Sequence, residues 1–192
     1  MLKRSLLIVA LMISGCTNMK VEDFSGATPQ LKLEEYFLGK TQAWGLFEDR
    51  FGTVRRQFSV TIDGSWDGSV LTLDEHFVYA DGETDRRVWR ITKVDAETYH
   101  GRADDIVGIA VGRTAGNALN WRYDMDLKVG DRTWRVHFED WMFLQEDGVL
   151  INRARVSKLG ITLGEVTLFF MKEQPDAEMT QGDRNTLAMA VR

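Results

Sequence analysis

From residue 41 onward, apolar and polar side chains alternate with a period of two, and turn dipeptides interrupt the alternation at short intervals. A chain patterned this way buries one face by pairing extended segments into a sheet. Nine segments read as strands: 42–47, 54–62, 70–79, 86–93, 98–103, 118–129, 133–145, 149–156 and 161–172. Asp63-Gly64, Asp81-Gly82, Gly130-Asp131 and Asp147-Gly148 between them are hairpin-turn pairs. The glycines from Gly101 to Gly116 match no phosphate loop and read as allowing turns or tight packing. Short turns and no long helical pattern describe an all-β chain, an antiparallel barrel or sandwich. A short helical turn at 31–38, stopped by Gly39, precedes it.

Two hairpins fix which side chains share a face. A two-residue turn at Gly130-Asp131 pairs Leu127 with Trp134, Met125 with Val136, Tyr123 with Phe138 and Trp121 with Asp140. One face is then apolar as far as Asp140, and the other carries Arg122, Asp124, Asp126, Arg135, His137 and Glu139. A slip of one residue would mix the two sets, so this register is well specified. At the other hairpin, a three-residue turn with Gly82 left-handed brings Arg87, Trp89 and Ile91 onto the face of Leu71, Leu73, Glu75 and Phe77.

The amino end has a different character. Lys3 and Arg4 precede an apolar run over 5–13, and Ser14-Gly15-Cys16 closes it with small residues and the only cysteine of the chain. This is the layout of a secretory signal, and the run is too short to span a bilayer. Residues 13–16 resemble the lipobox of bacterial lipoproteins, which implies cleavage after residue 15 and lipidation of Cys16. A lipid on the thiol also removes a free sulfhydryl from an oxidising compartment. Thr17, where an Asp would signal inner-membrane retention, points to the outer membrane, facing the periplasm. The expected organisation is a signal peptide at 1–15, a lipidated linker at 16–30, a barrel domain at 31–174 and a flexible tail at 175–192. Loss of Lys3 and Arg4 takes the formal charge from −5 to −7, and no basic run offers a nucleic-acid surface.

Both hairpin registers put charged groups on apolar faces. Glu75 and Arg87 form one set; Asp140 forms the other, next to either Asn152 or Arg153 and Arg155, depending on the turn at Asp147-Gly148. Buried carboxylates demand partners. Arg87 is the simplest partner for Glu75, and an Arg or a Trp indole N–H for Asp140. These groups are either structural ion pairs or a polar anchor within a ligand cavity. An enzyme is not expected. No nucleophile elbow is present, His76, His100 and His137 are scattered, and no metal-ligand spacing or cofactor motif occurs. Asp104 and Asp105, being adjacent in an extended chain, point to opposite faces and cannot share a proton.

The motifs Tyr36-Phe37-x-Gly39, Ala43-Trp44-Gly45, Leu73-x-Glu75-x-Phe77, Arg87-x-Trp89, Gly101-x-Ala103-x-Asp105, Asp140-Trp141-Met142 and Asn152-Arg153 resemble a family of bacterial lipoproteins catalogued as a domain of unknown function, DUF3833. The resemblance runs from about residue 36 to 172 and implies no activity, although members are encoded near enzymes that modify membrane fatty acids. The fold looks similar to that of lipocalins and other calycins, which implies an antiparallel up-and-down barrel whose mouth can hold one small ligand. The expectation is therefore an envelope lipoprotein whose barrel binds a lipid or fatty-acyl ligand. Trp44, Glu75, Arg87, Trp89, Trp121, Asp140, Trp141 and Asn152 would lie near its lining, with Trp141 the exception on parity. The alternative is a filled barrel serving as a structural or assembly lipoprotein with a protein partner.

Overall fold

A computed structural model describes residues 19–173. The expected signal peptide, the lipidation site Cys16 and the tail over 175–192 lie outside the described residues. Ten antiparallel strands close into a barrel: β1 (Gly39–Asp49), β2 (Val54–Trp66), β3 (Val70–Tyr79), β4 (Thr84–Lys93), β5 (Thr98–Arg102), β6 (Ile106–Ala115), β7 (Ala118–Val129), β8 (Arg132–Leu144), β9 (Leu150–Lys158) and β10 (Ile161–Lys172). Each strand pairs with its neighbours in sequence, and β1 pairs with β10 to complete the ring. This is the up-and-down order that short hairpins dictate.

Both expected registers are present. Trp121 faces Asp140 and Tyr123 faces Phe138 across β7 and β8, while Glu75 faces Arg87 and Leu73 faces Trp89 across β3 and β4. The latter hairpin turns through three residues, with Gly82 at φ +86°. The open choice beside Asp140 falls on Asn152: Asp140 pairs with Ala154 and Met142 with Asn152, so Arg153 and Arg155 point outward.

Three departures from the sequence reading have clear physical causes. The strand β6 lies where the sequence offers glycines that read as turns or tight packing and no alternation. Its inward positions are Ala110 and Gly112, whereas Ile109 and Val111 face outward and are 43% exposed, so the usual contrast of apolar inside and polar outside is inverted. The small inward residues make room for Trp121. A Cβ on Gly112 would lie 1.9 Å from Trp121 Cε3, and one on Gly101 would lie 2.5 Å from Trp121 Cζ2. Second, Asp63-Gly64 is not a turn; β2 runs on to Trp66, and Gly64 lets the strand pass under the Phe37 carbonyl, 1.7 Å from where a Cβ would be. Third, part of the expected linker is built into the fold. Val21–Phe24 forms a 3-10 turn on the outer wall, where Val21 packs with Ala115, Ala118, Trp141 and Phe143.

The helical turn α1 (Leu33–Tyr36) plugs one end of the barrel. Tyr36 donates its hydroxyl to the carbonyls of Phe170, at 3.0 Å, and Gly148, at 3.1 Å. Glu34 pairs with Lys93 of β4 and accepts a 2.8 Å hydrogen bond from Tyr99 of β5. The plug is thus tied to opposite sides of the wall. At the other end, the hairpins β1–β2, β3–β4, β5–β6, β7–β8 and β9–β10 leave a mouth.

Gly112→Val should overpack the Trp121 contact and destabilise by about 1–3 kcal/mol. The expected fall in melting temperature is roughly 3–10 °C for a domain of this size. Calorimetry of the Gly112→Val, Trp121→Leu double variant should show part of that loss recovered, because the two sites share one contact.

Candidate functional site

The barrel interior is a cavity of about 860 Å³, within the range of small-ligand sites. Its floor includes Leu33 and Phe37, and its lining reaches Arg55, Arg56, Glu83 and Lys128 at the hairpin tips. The cavity therefore runs from the plug to the mouth. Its walls are mostly apolar and aromatic. Tyr123 stacks on Phe138 at 5.1 Å between ring centroids and meets Trp89 edge-on at 5.5 Å, and Trp89 in turn meets Trp121 edge-on at 5.9 Å. Alternation along the strands delivers these rings inward, one from every second position.

A small polar cluster interrupts this wall. Asp140 is 4% exposed and Asn152 is 3% exposed, and both line the cavity. Tyr123 directs its hydroxyl at Asp140 Oδ2 over 3.4 Å. Asp140 Oδ1 and Asn152 Oδ1 have no hydrogen-bond partner, although buried polar atoms are nearly always satisfied. Nearby, Arg87 grips Asp105 with Nε at 3.0 Å and Nη2 at 2.8 Å, and Glu75 Oε2 lies 3.9 Å from Arg87 Nη1. Arg87 also sits 5.5 Å from the centroid of the Phe77 ring.

Burial governs the protonation of this cluster. Loss of solvation pushes the Asp140 carboxyl up to about 7, although Asn152 and Tyr123 beside it oppose the shift. Glu75 is likewise pushed up to about 7 by burial, against the pull of Arg87. Burial also raises the Tyr123 hydroxyl well above its usual range, and the charge of Asp140 adds to this. For Arg87, burial works to lower the pKa, but the carboxylates of Glu75 and Asp105 overcome it and keep the guanidinium charged.

Of the residues singled out from sequence, Glu75, Arg87, Trp89, Trp121, Asp140 and Asn152 all line the cavity. Trp44 does not: it is 50% exposed on the outer face of β1, where Thr41 and Ala43 take the inward positions. Trp141 also faces outward, as its parity requires, and packs on Phe143 and on Phe24 beside the 3-10 turn. The expected partners differ in part. Arg87 pairs with Glu75 as expected, at 3.9 Å, but makes its hydrogen bonds to Asp105, and Asp140 meets Tyr123 and Asn152 rather than an Arg or an indole. Asp105, read from sequence only as the neighbour of Asp104 in an extended chain, lies in the β5–β6 turn, where strand parity does not apply. Tyr123 was legible only as an apolar ring, although its register put it one inward position from Trp121, the partner of Asp140.

These shifts set a pH dependence with a definite sign. A carboxyl that is harder to ionise in the folded state binds more protons there than in the unfolded chain, so stability falls as pH rises through that window. For Asp140 and Glu75 the window runs from the ordinary carboxylate range up to about 7. At about 1.4 kcal/mol per pKa unit, each contributes a penalty of up to roughly 2–4 kcal/mol above it. Melting temperature should decline from about pH 4.5 to about pH 7 and then level off. Asp140→Asn should flatten much of that decline and melt roughly 3–8 °C higher than the parent at pH 8, with little change at pH 4.5.

Comparison with known proteins agrees with this architecture. The barrel is similar to the structure of an S-type phycobiliprotein lyase, CPES, from Guillardia theta, with a TM-score of 0.56 at 10% identity, covering 81% of this chain and 99% of that one. At that identity the likeness is one of fold. No curated protein matches the chain. The family model described as protein of unknown function (DUF3833) matches residues 10–172, so the chain, barrel and polar cluster together, belongs to that family.

Proposed function

We propose that this chain is a membrane-anchored periplasmic lipoprotein whose barrel binds a lipid or fatty-acyl ligand. The observation that carries the reading is the cavity of about 860 Å³, walled by apolar and aromatic side chains and holding a buried polar cluster. A filled barrel of purely structural purpose would have no use for such a space. Nor would it keep Asp140 and Asn152 with unpartnered oxygens in its wall. A barrel fold shared with a phycobiliprotein lyase is compatible with ligand binding but names no ligand.

The lipid on Cys16 supplies the anchor in this reading, outer-membrane by the sorting rule. Several acyl chains together hold a protein stably where one would not. The tether is short. Val21 lies five positions after Cys16, a reach of at most about 18 Å. Val21–Phe24 packs beside the β6–β7 turn at the plugged end, where Leu31 N–H bonds to the Gly116 carbonyl. The anchor therefore holds the plugged end toward its bilayer and leaves the mouth open to the periplasm. A ligand enters from that side.

The test is the full-length chain, extracted gently and transferred into an amphipol. Native mass spectrometry followed by solvent extraction should find an acyl-bearing molecule at near one per chain. Ala154→Trp, which puts an indole into the cavity opposite Asp140, should remove it while leaving the far-ultraviolet circular dichroism unchanged. An empty parent chain that also takes up no added alkyl probe would overturn the reading.

A further inference from the structure

The polar cluster says more about the ligand than the cavity volume does. Asp140 Oδ1 and Asn152 Oδ1 are both acceptors, both buried and both unpartnered. The Tyr123 hydroxyl is turned to Asp140, which leaves no hydroxyl donor facing the space beside it. The cation beside the cluster, Arg87, is held by both oxygens of Asp105 and lies 3.9 Å from Glu75. Its charge is thus offset before any ligand arrives. At pH 8, where all three carboxyls ionise, Glu75, Asp105 and Asp140 outnumber it, and the charged groups around the cluster present a field hostile to a further anion.

Resting on the lipid-binding reading above, we propose that the ligand is an alkyl or acyl chain whose buried polar group is a hydrogen-bond donor, a hydroxyl or an amine, and not a free carboxylate. The donor sits beside Asp140 and Asn152: an amine can donate to both unpartnered oxygens, and a hydroxyl, with its single proton, donates to one of them. The chain runs along Trp89, Trp121 and Phe138 toward the mouth. An ionised fatty acid placed in the same pose would bring a carboxylate against two acceptors, where the Asn152 amide is already turned to Asp140 and Arg87 is already held by Asp105. A buried acceptor left unmatched weakens binding, and does so more when the facing group is charged. Discrimination of this kind, set by matched donors and acceptors, is sharper than discrimination by chain length.

The probes are dodecanol, dodecylamine, dodecanoate and dodecane, which share one chain length. Each is titrated at pH 8 into the full-length chain in amphipol, with the fluorescence of the cavity tryptophans as the readout. Dodecanol and dodecylamine should bind at least tenfold more tightly than dodecanoate. Asn152→Leu, which keeps the volume and removes the acceptor, should weaken dodecanol about tenfold and leave dodecane unaffected. Asp140→Asn should lose most of the preference for the amine, and its folding is checked separately by its melting curve. Dodecanoate binding as tightly as dodecanol would overturn the donor proposal while leaving the lipid reading intact. Failure of all four probes, dodecane included, would overturn both.

Discussion

A sheet becomes a barrel only when its last strand finds its first. Here β1 and β10 pair without interruption from Thr41 and Lys172 to Asp49 and Gly164. That closure is the constraint on which the rest depends. It removes both sheet edges, which would otherwise invite pairing with other chains. It also fixes the circumference at ten strands. An eight-stranded barrel is just wide enough for side chains to fill or for one small ligand to be held. Two further strands widen the interior beyond what inward side chains can occupy, even with large aromatics at many positions. The cavity is therefore a consequence of strand number, and sequence acts mainly on its shape and polarity.

The wall adjusts to this width by exchanging volume between neighbouring strands. Where β5 and β6 carry Gly101 and Gly112, the indole of Trp121 lies over both. Where β1 carries Gly45, the ring of Phe58 on β2 fills the recess, 2.6 Å from the position a Cβ would take. Each exchange keeps the packing dense while leaving a strand whose inner residues are small. The two ends differ in the same spirit. Hydrogen bonds from Tyr36 and the buried Glu34, Lys93 and Tyr99 set secure the plug. At the mouth, by contrast, hairpin tips carry exposed side chains such as Phe51 and Leu159.

This exchange explains what could and could not be read from the residues. Strands β3, β4, β7 and β8 have large apolar residues inside and charged residues outside, so period and turn type fixed their limits, their register and the inward direction of Glu75, Arg87, Trp121 and Asp140. In β6 the contrast is reversed, with glycine and alanine inside and Ile109 and Val111 outside, and alternation alone could not reveal a strand. In β1 the same reversal made Trp44 look like a lining residue when Ala43 and Gly45 face inward. The tie between Arg87 and Asp105 was hidden for a different reason: it joins a strand to a turn, and no periodicity relates them. Pairing between strands is written locally, whereas contacts across a barrel are set by its closure.

The polar cluster stands against this background as an unfavourable feature that the fold nevertheless keeps. An apolar residue at the Asp140 position would pack against Trp121 and Ala154 and avoid the desolvation that raises the carboxyl to about 7. Positions that lower stability without a structural return concentrate where ligands bind. The surrounding structure is built to tolerate the penalty. Asp140 lies in the middle of a strand paired on both sides, so its backbone cannot relax to carry the carboxylate into solvent. Tyr123 is held between Phe138 and Trp89 and cannot swing away from it. A carboxylate fixed this firmly, with one oxygen left free, is oriented before any ligand enters. Such preorganisation lowers the ordering penalty of binding. The instability of the empty barrel at Asp140 and the affinity expected of the filled one are therefore two consequences of the same geometry.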